Sequence, residues 1–438
     1  MVRSLIGIVK NPRQILSNPL LWGSFVMLLS SLFSNVAAYL YNLFIGRTLG
    51  PVNYGILAAV ISLLSVISIP TAALSTSIVK FSSDYKARKD MDGLAFFFRK
   101  LSLLFFFAGV LSFLLFFFLQ NYLAGFLNIP STLPIIILGF LFFLNFTQTV
   151  NNGVLSGLQN FNFIAFAGLF SSILKLIFGV VLVYFGFSVN GALGAIALSV
   201  LSMYLLSFIP LKYLFSHRAA VKRSVPWRSF FLYCAPVFLS TLGLNLLITT
   251  DIILVKKFFS PEEAGIYSAL SLVGRVIFFA SSSMVSVMFS LVAERHSGER
   301  EYRHLLYYSL LMAAAVSIPA VIFYYFFPAF SMKFFFGDKY LAASPYLWLF
   351  GTFVTVYSLA NIMINFFLSI RRVFVALLPF LFSLIQIVAI YFLHRDFVSV
   401  ITVSLLCAFL LLSALVLYYL KHEAFRDRAG VPAGPDHR

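Results

Sequence analysis

Two basic side chains stand in the interior of long apolar stretches. Lys175 and Arg275 each lie near the middle of a stretch long enough to span a membrane as a helix. A cation at that depth costs about 2.5–3.5 kcal/mol on insertion scales, so each must face protein or a water-filled cavity. Ammonium and guanidinium groups both bind phosphate oxygens. We expect the two cations to face one central cavity and to bind an anion there. A structural ion pair and a side chain that snorkels to the membrane surface stay open as alternatives.

Uncharged polar side chains form stripes on three other apolar stretches. Within each stripe the residues recur at spacings that bring them to one face of a helix. Their amides and hydroxyls can hydrogen-bond the hydroxyl groups of a ligand, while the alternative is helix–helix bonding, worth about 0.6 kcal/mol per contact in membranes. The stripes comprise Ser31, Asn35 and Asn42; Asn145, Gln148, Asn152 and Ser156; and Ser358, Asn361, Asn365 and Ser369.

The residue patterns of common catalytic and metal sites are missing from the sequence. The six histidines fall in loops or at the ends of apolar stretches, without the H-E-x-x-H spacing of a zinc protease. There is no G-x-x-x-x-G-K-[ST] run that would bind ATP. Cys234 and Cys407 both lie in apolar runs, which argues against a disulfide framework. We therefore expect a protein that is not an enzyme and that uses neither a metal nor another cofactor.

The elements that position these residues must be membrane helices. The 438-residue chain is 61% hydrophobic and 10% charged, whereas a soluble domain is about 45–50% apolar and about 25% charged. Lipid must therefore be the solvent for most of the chain, and we expect an all-α polytopic membrane protein with twelve transmembrane helices. The apolar spans run near 20–45, 54–79, 101–120, 133–157, 163–187, 190–211, 229–255, 264–292, 304–328, 344–368, 374–393 and 398–420.

The formal charge of +17 is explained by membrane topology and not by a nucleic-acid partner. If the amino terminus is cytoplasmic, most of the 31 Lys and Arg residues fall in cytoplasmic segments, as the positive-inside rule requires. The first apolar run is too long for a cleaved signal peptide, so it is expected to remain as the first span. The prediction is a multi-pass protein of the cytoplasmic membrane with both termini in the cytoplasm.

The sequence carries an internal duplication. A shift of 210 positions places Arg47 on Lys257, Pro51 on Pro261 and Gly55 on Gly265, and a shift of 213 places Asn152 on Asn365. Six spans per half give both halves the same orientation, the parallel-repeat arrangement of transporters, with the cleft between two six-helix lobes. The expected divisions are an interfacial segment 1–19, an N-terminal lobe 20–211, a basic linker 212–228, a C-terminal lobe 229–420 and a cytoplasmic tail 421–438.

Two turns of the sequence resemble a known family. Residues 46–55 contain an R-x-L-G-x-x-x-Y-G turn after the first span, and Asp251 precedes a helix start Gly265-Ile266-Tyr267 after the seventh. Both are similar to the polysaccharide-synthesis flippases of the multidrug/oligosaccharidyl-lipid/polysaccharide exporter (MOP) superfamily. The resemblance implies a two-lobed, twelve-helix fold with a central cleft that opens alternately to the two sides of the membrane.

The same resemblance implies a substrate, a lipid pyrophosphate of the undecaprenyl or dolichyl type that carries sugars. Lys175 and Arg275 would bind its pyrophosphate, and the polar stripes would bind its sugars. Arg47 of the first turn joins this substrate-binding set. Membrane lipids and the glycosyltransferases or polymerase of the same pathway are the expected partners, and no nucleic acid is expected.

Asp251 is the acidic residue that the sequence places inside a span. It could pair with Lys256 or Lys257 about one turn onward, or bind a coupling cation, as an acid in this helix can in the drug-exporting relatives. Those relatives often have an acid in the first helix as well, and this sequence has none there. A multidrug exporter of the same superfamily is the main alternative function, although a cavity holding two cations should repel cationic drugs. A membrane-embedded polysaccharide polymerase or ligase is a further alternative, for which the outer loops are short.

Overall fold

A computed structural model describes residues 19–215, 227–279, 302–370 and 372–421, together with five single positions between 281 and 292. Every regular element in these ranges is helical. All but the last residue of the expected interfacial segment, most of the basic linker and all but the first residue of the expected tail lie outside the described residues.

The helices follow the apolar spans closely because their length and hydrophobicity are set by the membrane. In chain order they are α1 (Pro19–Ile67), α2 (Ile69–Ala87), α3 (Met91–Phe126), α4 (Leu133–Gly157), α5 (Phe161–Tyr184), α6 (Ser188–Leu211), α7 (Trp227–Phe258), α8 (Pro261–Gly274), α9 (Arg303–Phe326), α10 (Pro328–Phe336), α11 (Leu347–Ser369), α12 (Leu377–Leu393) and α13 (Phe397–Tyr419).

Within the described ranges, nine helical segments are long and apolar enough to cross a membrane. Three of the twelve expected spans account for the difference. The first two spans share α1, which continues into the second without a loop. Span eight begins with α8, which has 14 residues, and span eleven is α12, which has 17 residues. The second span, 54–79, is divided between the end of α1 and the start of α2, and the other expected spans each have one main helix in the described ranges. The twelve-helix prediction agrees with the structure.

The turn predicted between the first two spans is a break of a single residue. Gly50 has φ 72° and ψ 173°, and Pro51 begins the next helical turn. Glycine adopts positive φ without steric cost, and proline is well suited to the first turn of a helix. The chain can therefore change direction here without leaving the helical conformation for more than one residue.

The chain divides into two compact units. The first contains Met1–Leu49 and Pro70–Cys234, and the second contains Gly50–Ile69 and Ala235–Arg438. Residues 50–69, which the duplication assigns to the N-terminal lobe, thus pack with the second unit. Residues 229–234, which were expected in the C-terminal lobe, fall in the first unit. The bounds of the two lobes stay a prediction.

The duplication is visible in the helix pairing inside each unit. In the first unit α3 packs on α4, α5 packs on α6, and α4 packs on α6. In the second unit the corresponding helices make the same three pairings, α9 with α11, α12 with α13, and α11 with α13. Equivalent spans therefore occupy equivalent places in the two units, as the shifts of 210 and 213 predicted.

The helices bury apolar residues on one side and expose apolar residues on the other. The core of the first unit joins Ile78 of α2, Phe97 and Leu101 of α3, and Val154 of α4, all of them fully or almost fully buried. The outward face of α3 is also apolar and exposes large side chains such as Phe118. Apolar residues on both faces are typical of a helix that packs on protein on one side and on lipid on the other.

Polar residues begin the helices that start outside the apolar spans. Ser260 and Glu263 form a reciprocal capping box at the start of α8. At the start of α13, the carboxylate of Asp396 accepts hydrogen bonds from the backbone N–H and hydroxyl of Ser399. These bonds stabilise the ionised carboxylate and hold the pKa of Asp396 below its usual range. The carboxylate therefore serves as a helix cap.

Candidate functional site

Lys175 lies in the middle of α5 and rests on an aromatic ring. Its Nζ is 5.2 Å from the centroid of the Tyr41 ring, a cation–π contact. Tyr41 is itself fixed, because its hydroxyl donates a 2.8 Å hydrogen bond to the backbone oxygen of Ala192. Within the described ranges, the ion pairs formed by carboxylates do not include Lys175. The ammonium group is therefore held by an uncharged partner.

Small residues next to Lys175 determine how closely α5 approaches Tyr41. A methyl group on Gly179, one turn after Lys175, would overlap the Tyr41 ring. Two turns before Lys175, a methyl group added to Gly168 would fit in ordinary van der Waals contact, 3.8 Å from Ser30 Oγ. The Ser172 hydroxyl donates to the Gly168 carbonyl at 2.9 Å. The close packing around Lys175 is therefore on its Gly179 side, where α5 meets Tyr41.

Arg275 lies in a very different environment at the end of α8. Its Nη2 is 3.5 Å from Oδ1 of Asp251, whose side chain is fully buried. The guanidinium also donates to the backbone oxygen of Ile248. Tyr267, two turns earlier on α8, donates a 2.9 Å hydrogen bond to Oδ2 of the same carboxylate. Asp251, Arg275 and Tyr267 form a buried cluster with little net charge.

This cluster corrects the partner suggested for Asp251 by the sequence. Lys256 is itself buried, and Lys257 lies over the rings of Phe258 and Tyr391, at 5.1 and 5.5 Å. Asp251 instead faces α8, where positions eight residues apart lie on one helix face and supply both of its partners. Of the two cations that the sequence singled out, Arg275 is neutralised by a carboxylate and Lys175 is not.

The two cations contact equivalent positions of their units. Under the shift of 210 residues, Tyr41 of α1 corresponds to Asp251 of α7. Lys175 lies over the Tyr41 ring, and Arg275 forms an ion pair with Asp251. The equivalent position therefore contacts a cation in both units. The contacting group is a neutral ring in the first unit and a carboxylate in the second.

The polar stripes of α4 and α11 each contain a hydrogen-bonded pair of amides. Gln148 Nε2 donates to Oδ1 of Asn152 at 2.9 Å, and Asn365 Nδ2 donates to Oδ1 of Asn361 at 3.0 Å. The shift of 213 places Gln148 on Asn361 and Asn152 on Asn365, so the two pairs are equivalent. Each pair leaves further amide donors and acceptors available for other partners.

The polar residues of the stripes differ in how many of their hydrogen-bonding groups are satisfied within the protein. Gln148 is only 6% exposed, and its Oε1 is buried without a hydrogen-bond partner. Asn145 donates back to the Leu141 carbonyl of its own helix, and Asn42 donates likewise to Ala38. An unsatisfied buried acceptor costs about 1–3 kcal/mol, so a donor that reached Gln148 Oε1 would be bound favourably.

Asn35 and Arg47, also predicted to bind substrate, are both exposed on α1. Arg47 lies one turn before the break at Gly50, and Asn35 lies further back along the same helix. Neither is part of the Lys175 contact with Tyr41 or of the two amide pairs. Their assignment to the substrate-binding set stays a prediction.

Two buried polar contacts were not singled out from the sequence. Asn151, next to Asn152, donates a 2.7 Å hydrogen bond to Ser207 of α6. Gln386 of α12 donates to the Leu247 carbonyl of α7 and to Ser404 of α13. Both join separate helices, which is a structural function. A lone amide in an apolar run was the available signal, but the sequence does not show which partner it meets.

The acidic, His and Cys side chains are scattered along the helices. The described part of the chain has no group of three or more such residues close enough to hold a metal ion. Cys407 is a free, buried thiol of α13. The first unit thus offers one partly buried ammonium group and one amide pair, and the second unit offers the other amide pair.

The sequence matches the profile of a known family. The profile of the family described as polysaccharide biosynthesis protein matches residues 44–345, which is more than half of the chain. The chain belongs to this family of polysaccharide biosynthesis proteins. The match includes both turns that carried the resemblance, as well as Lys175 and Arg275. No curated protein matches the chain.

Solved structures show which fold this polysaccharide biosynthesis protein has. An inward-facing multidrug resistance transporter of the MATE family, in the MOP superfamily, matches with a TM-score of 0.76 at 15% identity, covering 93% of this chain and 99% of that chain. The lipid II flippase MurJ matches at 0.70 and 13%, covering 90% and 87%. A MOP transporter from Pyrococcus furiosus matches at 0.62 and 17%, covering 92% and 97%. The family member is a multi-pass membrane protein with the MOP fold, and these relatives in structure are transporters and flippases, not enzymes.

Proposed function

We propose that the chain moves a lipid-pyrophosphate-linked oligosaccharide across the cytoplasmic membrane by alternating access. Membership of the polysaccharide biosynthesis family and the MOP fold both support this proposal. The observation that carries it is Lys175, a partly buried cation in the middle of a membrane helix that rests on Tyr41 and not on a carboxylate. A charge in that position needs an anionic ligand or water to stabilise it.

The pyrophosphate is the part of such a substrate that Lys175 would bind. An ammonium group supplies three donors to phosphate oxygens, and Lys175 is partly exposed. Arg275 is the weaker candidate for the same headgroup, because Asp251 already balances its charge. We therefore assign the first contact with the pyrophosphate to Lys175 and a secondary one to Arg275.

The sugars would be bound by the amide pairs of α4 and α11. Asn152, Asn361 and Asn365 are partly exposed, whereas Gln148 is buried. Each pair presents both donors and acceptors, the combination that neutral hydroxyl groups require. The buried Oε1 of Gln148 could accept a hydrogen bond from one such hydroxyl. Substrate lipid and surrounding membrane lipids would be the direct partners, and enzymes that build or polymerise the oligosaccharide would act before and after transport.

A multidrug exporter is the second candidate, because a MATE transporter shares the fold over almost the whole chain. Cationic drugs are usually held by acidic or aromatic groups. Here the intramembrane carboxylate Asp251 is already paired with Arg275, and Lys175 adds a positive charge. These charges favour an anionic substrate over a cationic one.

Reconstituted vesicles would decide between the two functions. The purified chain is incorporated and supplied with a fluorescent polyprenyl pyrophosphate oligosaccharide or with a cationic dye, and appearance on the opposite side is measured for each. We expect movement of the oligosaccharide lipid above that of protein-free vesicles, and no movement of the dye. Transport of the dye alone would replace the flippase proposal with the exporter.

A further inference from the structure

The first helix of the second unit, α7, carries a polar stripe of its own. Under the shift of 210 residues, Asn245 of α7 corresponds to Asn35 of the α1 stripe. Thr249 and Lys256 follow Asn245 at intervals of four and seven residues, which bring side chains to one face of a helix. Asn245 is partly exposed, whereas Thr249 and Lys256 are buried. The stripe therefore ends in a buried cation.

Lys256 has no partner for its charge among the described residues. It is 1% exposed, and it belongs to neither of the ion pairs that carboxylates form there. No hydrogen bond or aromatic contact of its ammonium group is found in the described ranges either. Asp251, on the same helix, is already bound by Arg275 and Tyr267. The ammonium group thus lacks both water and a counter-charge.

The cation of the first unit is replaced by an amide in the second. A shift of 211 residues places Lys175 on Gln386, whose amide donates hydrogen bonds to two neighbouring helices. Lys256, in turn, corresponds under the shift of 210 to Gly46, which has no side chain. Within the described ranges, each unit therefore has an intramembrane cation that no carboxylate balances, on the fifth helix in the first unit and on the first helix in the second.

The two cations differ in their distance from the ends of their helices. Lys175 lies nine residues before Tyr184, the end of α5, and Lys256 lies two residues before Phe258, the end of α7. At 1.5 Å per residue, these separations are about 13 and 3 Å. The predicted topology assigns both helix ends to the outer surface. By this prediction, Lys256 lies close to the outer surface and Lys175 lies near the middle of the membrane.

We propose that Lys256 is a second binding group for the pyrophosphate of the substrate lipid, which it holds near the outer surface before release. The inference rests on the proposed function. In this structure Lys256 is covered, and an ammonium group covered without a partner is costly. A pyrophosphate that binds the uncovered ammonium offsets this cost and shifts the population toward the uncovered arrangement. Binding of the anion and uncovering of Lys256 are thereby coupled.

Binding of a labelled lipid to the full chain in nanodiscs tests this role. The probes are a fluorescent polyprenyl pyrophosphate and the corresponding uncharged polyprenol. We expect Lys256→Gln to raise the dissociation constant for the pyrophosphate on the order of tenfold, because a charge-assisted contact is lost. Lys257→Gln is the matched control and should bind as the wild type does, since Lys257 lies over the rings of Phe258 and Tyr391. The unfolding midpoint of Lys256→Gln should be unchanged or higher, because an unpaired intramembrane charge is gone.

The results separate this inference from the proposed function. Equal binding of both probes by the wild type would overturn the two together. Preferential binding of the pyrophosphate that Lys175→Gln weakens and Lys256→Gln leaves unchanged would overturn this inference alone. A lower unfolding midpoint in Lys256→Gln would show that Lys256 supports the fold, and would overturn this inference as well.

Chemical restoration of the charge provides an independent measurement. Lys256→Cys, in a chain whose Cys234 and Cys407 are replaced by serine, is treated with aminoethyl methanethiosulfonate, which attaches an ammonium group at nearly the length of lysine. Methyl methanethiosulfonate attaches an uncharged methyl group and is the control reagent. We expect the ammonium reagent alone to restore binding of the pyrophosphate. Equal effects of the two reagents would overturn the proposal, because the group must be charged. A thiol that never reacts would overturn it too, because the position must become uncovered.

Discussion

Arg275 and Asp251 form an ion pair in which the carboxylate is completely buried and the guanidinium is 15% exposed. Tyr267 donates a hydrogen bond to the second oxygen of the carboxylate. Taking two charges out of water is expensive, so such a pair is maintained only while both members are present. The charge of Arg275 in the second unit is therefore balanced by a carboxylate, whereas that of Lys175 in the first unit is not.

This pairing predicts strong coupling between the two residues. Arg275→Gln and Asp251→Asn should each lower the free energy of unfolding by about 3–5 kcal/mol, because each leaves one charge buried without its partner. The double variant should recover most of that loss. Denaturant unfolding in detergent measures all four members of the cycle, and losses that simply add would show that the two residues do not depend on each other.

Lys175 is expected to matter for transport and not for folding. Lys175→Gln removes a charge-assisted contact of about 1.5–3 kcal/mol, which corresponds to roughly tenfold to hundredfold slower translocation of the oligosaccharide lipid. Stability should be unchanged or higher, because a costly intramembrane charge is gone. Lys175→Arg should restore part of the rate. The exposed Lys339 provides the control, since Lys339→Gln should transport normally. Normal transport by Lys175→Gln would rule out the ammonium as an anion site.

Neighbouring asparagines of α4 separate ligand binding from helix packing. Asn152→Leu and Asn365→Leu should reduce transport severalfold and leave the unfolding midpoint close to that of the wild type, because both amides are partly exposed. Asn151→Leu should do the reverse. It removes the buried bond to Ser207 and should cost about 1–3 kcal/mol of stability, with transport per folded molecule retained. The opposite pattern of effects would exclude the amide pairs from the binding site.

The membrane topology can be checked at two exposed positions. Arg88 lies in the basic segment between α2 and α3, and Glu262 lies in the first turn of α8. With the native cysteines replaced, an impermeant thiol reagent added to intact cells should label Glu262→Cys and not Arg88→Cys. This follows from the positive-inside rule, which places the segments rich in Lys and Arg in the cytoplasm. Labelling of Arg88→Cys from outside would invert the predicted orientation.

The sequence by itself determined the helices, the membrane spans and the duplication. Span length and apolar composition are local properties imposed by a hydrocarbon layer about 30 Å thick, so they can be read without knowing what each helix contacts. The shifts of 210 and 213 residues paired Gly55 with Gly265 and Asn152 with Asn365 for the same reason. Equivalent sequences form equivalent helices, and the two units repeat the same helix pairings.

Only the tertiary structure decided how the polar residues are used. Two lysines, Lys256 and Lys257, lie about one turn from Asp251 on its own helix, yet Asp251 pairs with Arg275 at the end of the following helix. Asn151 and Asn152 are adjacent and chemically identical, but a rotation of about 100° directs one to Ser207 and the other to Gln148. Residues 50–69 likewise pack in the second unit through a backbone contact between Gly55 and Gly265. Glycine allows such a contact, but the sequence does not show which helix it meets. In each case the deciding interaction joins segments far apart in sequence, and its geometry exists only once the helices have packed.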